Sequence, residues 1–497
     1  MKNLKTGIKF SGIACALFFL ISIQAVNAKA QVQAAAKEQS KVFRAGAATS
    51  NITPSLGGLI IGGWGTPEAT HIHDELHARC LVLDDGFTKL VFIVADLLGI
   101  DQDVAEATKR IIEQETGIPV ANVIISAIHT HSATSAMGVG NKRRQWHYGE
   151  PFDEYQSFVI RRFADVVRSA VNNLEPARIG WGVGNVPEHV FVRRWKMKEP
   201  VLNPFGGYDK VKMNPGRGPN LLEPAAQPDP QVSFISVQAT DGKSIALLGN
   251  YGLHYVGGVP GGHISADYFA VFADRIQELL KADRQNPPFV GIMSNGTSGD
   301  VNNINFGGKP EKNAPYEKMR RVADDVAREV FRVHNTIQFH DWVPLAAISE
   351  EFALTVRKPD KEMVKRAEAL LKQPESVKPL HSLEKMYAER ILYLVEWPDQ
   401  INVVLQTFRI GDLGVAASPF ETFSETGMEI KAKSPFKTTF VIGLANGYNG
   451  YLPTPEQHEL GGYETWLSTN RVEKEATTKM VAAFLRQFAS MKQGTGN

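Results

Sequence analysis

The chain has 497 residues, of which 43% are hydrophobic, 22% charged and 9% aromatic. These fractions are typical of a globular protein and argue against a disordered, collagen-like or disulfide-stapled chain. The 54 Lys and Arg residues nearly cancel the 53 Asp and Glu residues, so there is no overall positive charge to attract nucleic acid.

The beginning of the chain has the pattern of a secretory signal peptide. Three lysines precede an apolar run over 13–23, and small residues near Ala28 offer a cleavage site. The apolar run is too short to span a bilayer as a stable helix, although an uncleaved anchor is the alternative. We therefore expect a signal peptide over 1–28 and a flexible tether over 29–41.

The cysteines bear on where the protein works. Removal of the signal peptide would leave Cys80 as the only cysteine, so no intramolecular disulfide can form in the mature chain. An exported protein without disulfides is typical of a secreted or periplasmic bacterial enzyme rather than of a small animal ectodomain. No later stretch is apolar over 18 residues, so we expect no transmembrane segment after signal removal.

Strand-like and helical patterns then alternate along the chain. In chain order they predict strands over 80–83 and 90–94, a helix over 101–116, a strand over 123–126, a helix over 152–174, a strand over 179–183, a hairpin over 232–237 and 245–250, a helix over 266–281, a strand over 289–293, and a last helix over 472–489. This alternation predicts an α/β fold, with a layered mixed β-sheet core flanked by helices. We expect a single large catalytic domain over 42–490.

Two segments interrupt the alternation. Residues 199–230 are rich in proline and glycine, which predicts a long irregular loop. Residues 360–397 are charged and have helical periodicity, which predicts an inserted helical hairpin. Neither segment has the composition of a linker between independent domains.

Two histidines follow the strand predicted over 123–126. His129 and His131 are two residues apart, and in extended chain such residues face the same side, so both rings could address one centre. Histidine is the commonest metal ligand and also transfers protons near neutral pH. A pair of exposed loop histidines explains this motif by itself equally well.

A third histidine ends the second strand of the predicted hairpin. His254 precedes a glycine-rich turn, and Ser265 and Asp267 follow at the predicted start of the helix over 266–281. Backbone N–H groups at a helix start attract anions, although both residues could simply cap the helix.

A carboxylate and several tyrosines complete the candidate set. Glu421 follows another short β-run and could make a His/His/Glu set of the kind found in catalytic zinc sites. Stabilisation of a first helical turn is an equally good explanation of this glutamate. Tyr448, Tyr451 and Tyr463 lie among glycines, as substrate-cleft aromatics often do, although packing under a loop is commoner. None of these spacings is a compact metal signature.

Five segments nevertheless occur together in a distinctive order. They are Ile125-Ser126-Ala127-x-His129-Thr130-His131-Ser132, Asn250-x-x-x-His254, Ile264-Ser265-Ala266-Asp267, Gly299-Asp300-Val301-Asn302 and Leu444-Ala445-Asn446-x-Tyr448-x-Gly450-Tyr451. In this order they resemble the neutral/alkaline non-lysosomal ceramidase family, from about Ala45 to Glu464. The resemblance implies a secreted zinc amidase that cleaves N-acylsphingosine to a fatty acid and an amino alcohol.

The resemblance also implies roles for single residues. It implies one zinc ion per chain, with four ligands: His129, His254, Glu421 and Tyr451, for which Tyr448 is the less favoured alternative. It implies Ser265 as the nucleophile, with His131 and Arg193 (or Arg194) close to the reacting amide. We assign substrate contacts to Tyr448, Tyr463 and Asp267.

Several alternatives stay open at this point. The attacking group is either water at the zinc ion or Ser265. The substrate is a lipid acyl amide of the ceramide type or, on the same fold, a carbohydrate-derived N-acyl or ester compound. A third hypothesis is a binding protein without catalytic activity. The sequence does not predict the oligomeric state.

Overall fold

The computed structural model describes residues 41–63, 65–138, 145–282 and 285–493. The predicted signal peptide and all of the predicted tether except residue 41 lie outside these ranges. Within them, no helix is both long and apolar enough to cross a membrane.

Strands and helices alternate along the described chain. The strands are β1 (Arg44–Asn51), β2 (His71–Ile72), β3 (His77–Asp84), β4 (Lys89–Ala95), β5 (Val123–Ala127), β6 (Glu175–Asn185), β7 (Phe191–Val192), β8 (Arg194–Leu202), β9 (Tyr208–Met213), β10 (Leu221–Pro224), β11 (Gln231–Ala239), β12 (Ser244–Tyr251), β13 (His263–Ile264), β14 (Val290–Asn295), β15 (Val301–Asn302), β16 (Leu345–Thr355), β17 (Gln400–Ile410), β18 (Leu413–Ala417), β19 (Glu421–Thr422), β20 (Thr438–Ile442) and β21 (Tyr451–Leu452). The α-helices are α1 (Gln102–Thr116), α2 (Glu154–Asn172), α3 (Asp267–Leu279), α4 (Glu317–His334), α5 (Lys361–Leu371), α6 (Glu384–Glu396), α7 (Ser424–Lys433), α8 (Pro455–Leu460) and α9 (Ala476–Gln493).

An eight-stranded sheet with the order β14-β12-β11-β6-β1-β3-β4-β5 forms the larger part of the core. Its pairs are antiparallel except at the two edges, where β12 runs parallel to β14 and β4 runs parallel to β5. All five side chains of β5 are buried, as are all but the first of β4. Continuous apolar runs of this kind form strands that are covered on both faces.

The two edges of this sheet approach each other. Strand β14 contacts β3, β4 and β5, and the segment after β20 bridges the remaining gap. The amide of Ala127 donates to the Leu444 carbonyl (3.1 Å), and the amide of Gly443 donates to the Asn295 carbonyl (3.0 Å). Because β20 belongs to a second sheet, of four strands in the order β16-β17-β18-β20, this segment ties the two sheets together beside the ends of β5 and β14.

Helices cover the sheets in pairs. Helix α2 packs on β1 and β3 and against α1, and α3 packs on β14 and against α4. Gly291 in β14 allows the close approach of α3, because a Cβ there would lie 2.5 Å from the Ala273 carbonyl oxygen. The predicted α/β class, with a layered mixed sheet core and flanking helices in one large unit, is therefore confirmed.

Most predicted elements have an observed counterpart within a few residues, including the hairpin β11–β12 and the helical hairpin α5–α6. The prediction of an irregular loop over 199–230 is wrong. Strands β8, β9 and β10 form a three-stranded sheet there. Two prolines lie within these strands without disrupting the sheet. Pro200 lies where the β8–β9 register shifts, and Pro224 is the last residue of β10. Neither position needs an amide hydrogen.

Candidate active site

His129 lies two residues beyond the end of β5, in the left-handed region with φ of 67°. Its Nδ1 lies 2.7 Å from the Leu98 carbonyl oxygen. Because a carbonyl oxygen only accepts, Nδ1 donates in this contact, and Nε2 is the ring nitrogen that faces the site. That Nε2 atom lies 3.3 Å from Oε2 of Glu421.

His254 repeats this arrangement from the other end of the sheet. It follows β12, its Nδ1 donates to the Ser298 carbonyl oxygen at 2.9 Å, and its Nε2 lies 3.8 Å from the same Glu421 oxygen. The Nε2 atom is buried and has no hydrogen-bond partner. Burial, followed by the nearby Arg193 guanidinium, holds the pKa of His254 well below its ordinary value, so the ring is the neutral form that binds metals.

His131 brings a third imidazole to the same place. Its ring stacks on Tyr255 with centroids 3.9 Å apart. Each of the three rings offers one nitrogen as a ligand, and these nitrogens, from His129, His131 and His254, all lie within 4.8 Å of one another. The three rings could therefore hold a metal ion. The two histidines do address one centre, as predicted, but the premise of extended chain is wrong, because His129 is in the left-handed region.

Glu421 faces this imidazole group from β19, which forms a separate two-stranded sheet with β21. Glu421 is the first residue of β19 and pairs with Tyr451 of β21. The hydroxyl of Tyr448 donates to its Oε1 (2.7 Å), whereas Oε2 is buried without a hydrogen-bond partner. Burial opposes ionisation of this carboxyl, but His129, Tyr451 and Arg193 outweigh it and hold the pKa of Glu421 below its ordinary value.

Tyr451 and Arg193 form the next layer of the site. The Arg193 guanidinium lies 5.3 Å from the ring centroid of Tyr451. It donates to Glu464 Oε1 (2.9 Å) and to the Gly299 carbonyl oxygen (3.0 Å). Burial raises the pKa of the Tyr451 phenol well above its ordinary value. The alternative residue, Arg194, instead donates to the other Glu464 oxygen (2.6 Å) and to the Gly461 carbonyl oxygen (2.7 Å).

Ser265 and Asp267 lie behind the histidines. Ser265 is fully buried, and its hydroxyl accepts from the Asp267 amide at 3.0 Å. Its amide donates to Ser132 and its carbonyl accepts from Thr130, so Ser265 fixes the turn that carries His131. Asp267 accepts from the amides of Val256, Gly257 and Tyr268. Burial raises the pKa of Asp267 to about 6.

A cavity of about 190 Å³ opens onto the histidines and Glu421. Of the predicted residues, those that line it are His129, His131, Arg193, Glu421, Tyr448, Tyr451 and Tyr463, whereas His254, Arg194, Ser265 and Asp267 do not. Sequence reasoning missed Tyr255, Arg390, Ser468, Thr469 and Arg471, which also line it. Nothing in their local patterns identifies them: Arg390 has the pattern of a solvated helical charge, and the other four lie outside the helices and strands.

Comparison with known proteins shows the family and the fold of this chain. A family model described as neutral/alkaline non-lysosomal ceramidase, N-terminal, matches residues 43–320. The neutral ceramidase from Pseudomonas aeruginosa has a similar fold, with a TM-score of 0.66, 17% identity, and coverage of 91% of this chain and 75% of that chain. A ceramidase complexed with C2 is similar, with a TM-score of 0.66, 16% identity, and coverage of 91% and 76%. Because the family match extends over more than half of the sequence, the chain belongs to the neutral/alkaline non-lysosomal ceramidase family, a family of amide hydrolases.

Proposed function

We propose that this protein is an exported zinc-dependent hydrolase that cleaves N-acylsphingosine-type amides to a fatty acid and an amine. One observation carries the proposal. Two buried imidazoles, which follow β5 and β12, converge with a buried carboxylate of β19, and His254 Nε2 and Glu421 Oε2 have no hydrogen-bond partner there. Buried polar atoms normally have partners, so this convergence supports a missing one.

The donor set fits zinc. Nitrogen and carboxylate oxygen are its usual protein ligands, and two histidines with one acid are typical of catalytic sites. The far nitrogens of His129 and His254 donate to backbone carbonyls, which is how ligating imidazoles are normally oriented. We assign His129, His254 and Glu421 as ligands, with Tyr451 as the fourth. His131 is the other candidate for that position.

Zinc, when bound, supplies a Lewis acid that polarises the scissile carbonyl and lowers the pKa of water. Arg193 and His131 stabilise the negative charge that develops on the amide oxygen, since both line the cavity beside the proposed ligands. A donor in this role is typically worth about 3 kcal/mol. Glu464 and Gly299 hold the Arg193 guanidinium in place, so little reorganisation is needed during the reaction.

We assign the attack to water rather than to Ser265. The Ser265 hydroxyl is fully buried, caps the start of α3 and does not line the cavity. The resemblance-based role of Ser265 as nucleophile stays a prediction, and Ser265→Ala tests it. Tyr448 and Tyr463 remain the proposed substrate contacts, whereas the contacts of Asp267 favour a structural role for it.

Zinc analysis combined with a fluorescent ceramide assay tests the proposal. We expect about one zinc per purified chain and release of the labelled fatty acid. His129→Ala should remove both the zinc and the activity, because it deletes a ligand. The matched control is His381→Ala, a histidine between α5 and α6 that does not line the cavity. Activity that persists in His129→Ala without zinc would refute the mechanism.

A further inference from the structure

Arg390 is a buried cation in the wall of the catalytic cavity. It comes from α6, in the helical hairpin, and its exposed fraction is 4%. It lines the same cavity as His129 and Glu421. The hairpin therefore contributes a charged group to a site whose proposed ligands come from other parts of the fold.

The contacts of Arg390 do not balance its charge. One terminal nitrogen lies 3.3 Å from the Met386 sulfur, and the guanidinium lies 4.6 Å from the Tyr387 ring centroid. Its Nε is buried without a hydrogen-bond partner. Among the residues that the structure describes, no carboxylate forms an ion pair with it. A buried charge without a counter-ion is strongly unfavourable.

Other buried arginines of this chain are satisfied. Arg194 donates to Glu464, Gln457 and the Gly461 carbonyl. Arg409 donates to the carbonyls of Gly411 and Met491. Neither lines the catalytic cavity. Arg390 differs from both because it lines the cavity and has no oxygen acceptor in the described part of the chain. This difference indicates that its acceptor belongs to a ligand that binds in the cavity.

The rest of the cavity also favours an anion. Arg193, Arg390 and Arg471 all line it, whereas Glu421 is the single carboxylate among the described residues that line it. Glu464 does not offset this excess, because Arg193 and Arg194 share it. At about 190 Å³ the cavity is smaller than pockets that enclose drug-sized ligands. It suits a compact charged group better than a long acyl chain.

We propose that Arg390 binds an anionic group, a carboxylate, sulfonate or phosphate, on the amine portion of the substrate. The inference rests on the proposed amide hydrolysis and adds that N-acyl compounds with an acidic amine part are cleaved faster than neutral ones such as ceramide. The acyl chain then extends out of the cavity. Guanidinium is well suited to this task, because its fork of donors matches these oxyanions.

Two matched probes test the inference. N-lauroylglycine and N-lauroylethanolamine share the acyl chain and the amide. The first ends in a carboxylate and the second in a hydroxyl. We expect wild-type kcat/KM to be about 10-fold or more higher for N-lauroylglycine, since a charge-assisted pair is the stronger contact. Arg390→Met should lower kcat/KM for N-lauroylglycine by about 10- to 100-fold and leave that for N-lauroylethanolamine nearly unchanged.

Two further variants serve as controls. Lys385→Met removes one positive charge from the same helix at a residue that does not line the cavity, so it should keep the wild-type preference. Arg390→Lys keeps the charge without the fork and should retain part of the preference. If Arg390→Met fails to fold, a reduced preference for N-lauroylglycine in Arg390→Lys tests the anion site in its place.

The results separate the two proposals. A wild-type preference for N-lauroylethanolamine, or an equal loss on both probes in Arg390→Met, overturns the anion site. If the wild type hydrolyses neither probe, the fluorescent ceramide assay decides the proposed amide hydrolysis, and calorimetric binding of both probes decides the anion site. Tighter binding of N-lauroylglycine that Arg390→Met abolishes supports the site, and equal binding overturns it.

Discussion

His129 and His254 are held as ligands by the backbone. His129 donates its Nδ1 proton to the carbonyl oxygen of Leu98, just after β4. His254 donates its Nδ1 proton to the carbonyl oxygen of Ser298, just after β14. The same contacts fix the tautomer and aim both Nε2 atoms at Glu421. The orientation of these ligands therefore depends on strand ends rather than on flexible side chains.

Asp300 provides a pH-dependent test at the residue scale. Its carboxylate accepts from the Ser424 amide (2.7 Å) and hydroxyl (2.9 Å), yet burial raises its pKa to about 6. Between about pH 4 and 6 the folded chain retains a proton that the unfolded chain releases, so stability falls as pH rises through this window. A shift of this size corresponds to about 2 to 3 kcal/mol.

Asp300→Asn should lack this dependence, because it carries no charge. Its amide oxygen can accept from the Ser424 amide, and its NH2 group can donate to the Ser424 hydroxyl, which then donates to the Gln227 carbonyl oxygen. In urea unfolding, we expect its stability relative to wild type to rise between pH 4 and pH 7. The control is Asp399→Asn, whose side chain is 95% exposed in the wild type. An unchanged difference between Asp300→Asn and wild type across this range would contradict the prediction.

The sequence predicted some of these residues and not others, for a physical reason. His129, His254 and Glu421 each follow a short β-run, and strand ends are where α/β proteins usually place functional groups. Arg390 lies mid-helix, where its local pattern is that of a solvated charge. Its burial depends on contacts between α6 and chain segments around residue 469, which no local periodicity records.

At the element scale, the position of Glu421 depends on a glycine in another segment. A Cβ on Gly299 would lie 2.3 Å from the Glu421 carbonyl oxygen. The Gly299 amide also donates to the Thr422 carbonyl, so this segment and β19 are in direct backbone contact. A side chain at residue 299 must push β19 and its carboxylate away.

Gly299→Ala should therefore reduce zinc content and ceramidase activity while all proposed ligands remain. We expect a destabilisation of about 1 to 3 kcal/mol, which is typical of overpacking. Gly218→Ala is the matched control, because a Cβ there meets nothing within 4 Å. Normal zinc content in Gly299→Ala would show that the backbone contact does not position Glu421.

The sheet formed by β8, β9 and β10 shows the limit of composition as a predictor of elements. Proline and glycine indicate irregular chain on average, but strands tolerate proline at bulges and ends. The prediction failed because pairing between Arg194 and Met213, or Leu221 and Met197, is a long-range property. Elements with local periodicity, such as α1 and α2, were predicted within a few residues.

At the scale of the whole molecule, the site exists only where the two sheets meet. His129 and His254 belong to the eight-stranded sheet and Glu421 follows the four-stranded one. The segment after β20 bonds to both β5 and β14 at this junction. A metal ion there would join three stretches of chain that are far apart in sequence, so binding should stabilise the fold as a unit.

Zinc should therefore raise the free energy of unfolding of the entire chain. At a zinc concentration of 100 times Kd, we expect a gain of about 2.7 kcal/mol in urea unfolding, with circular dichroism and tryptophan fluorescence shifting together. His129→Ala should lose the gain and His381→Ala should keep it. Magnesium, which prefers oxygen ligands, should have no effect. A gain confined to one probe, or equal gains in His129→Ala and wild type, would mean that zinc does not bind at the junction of the sheets.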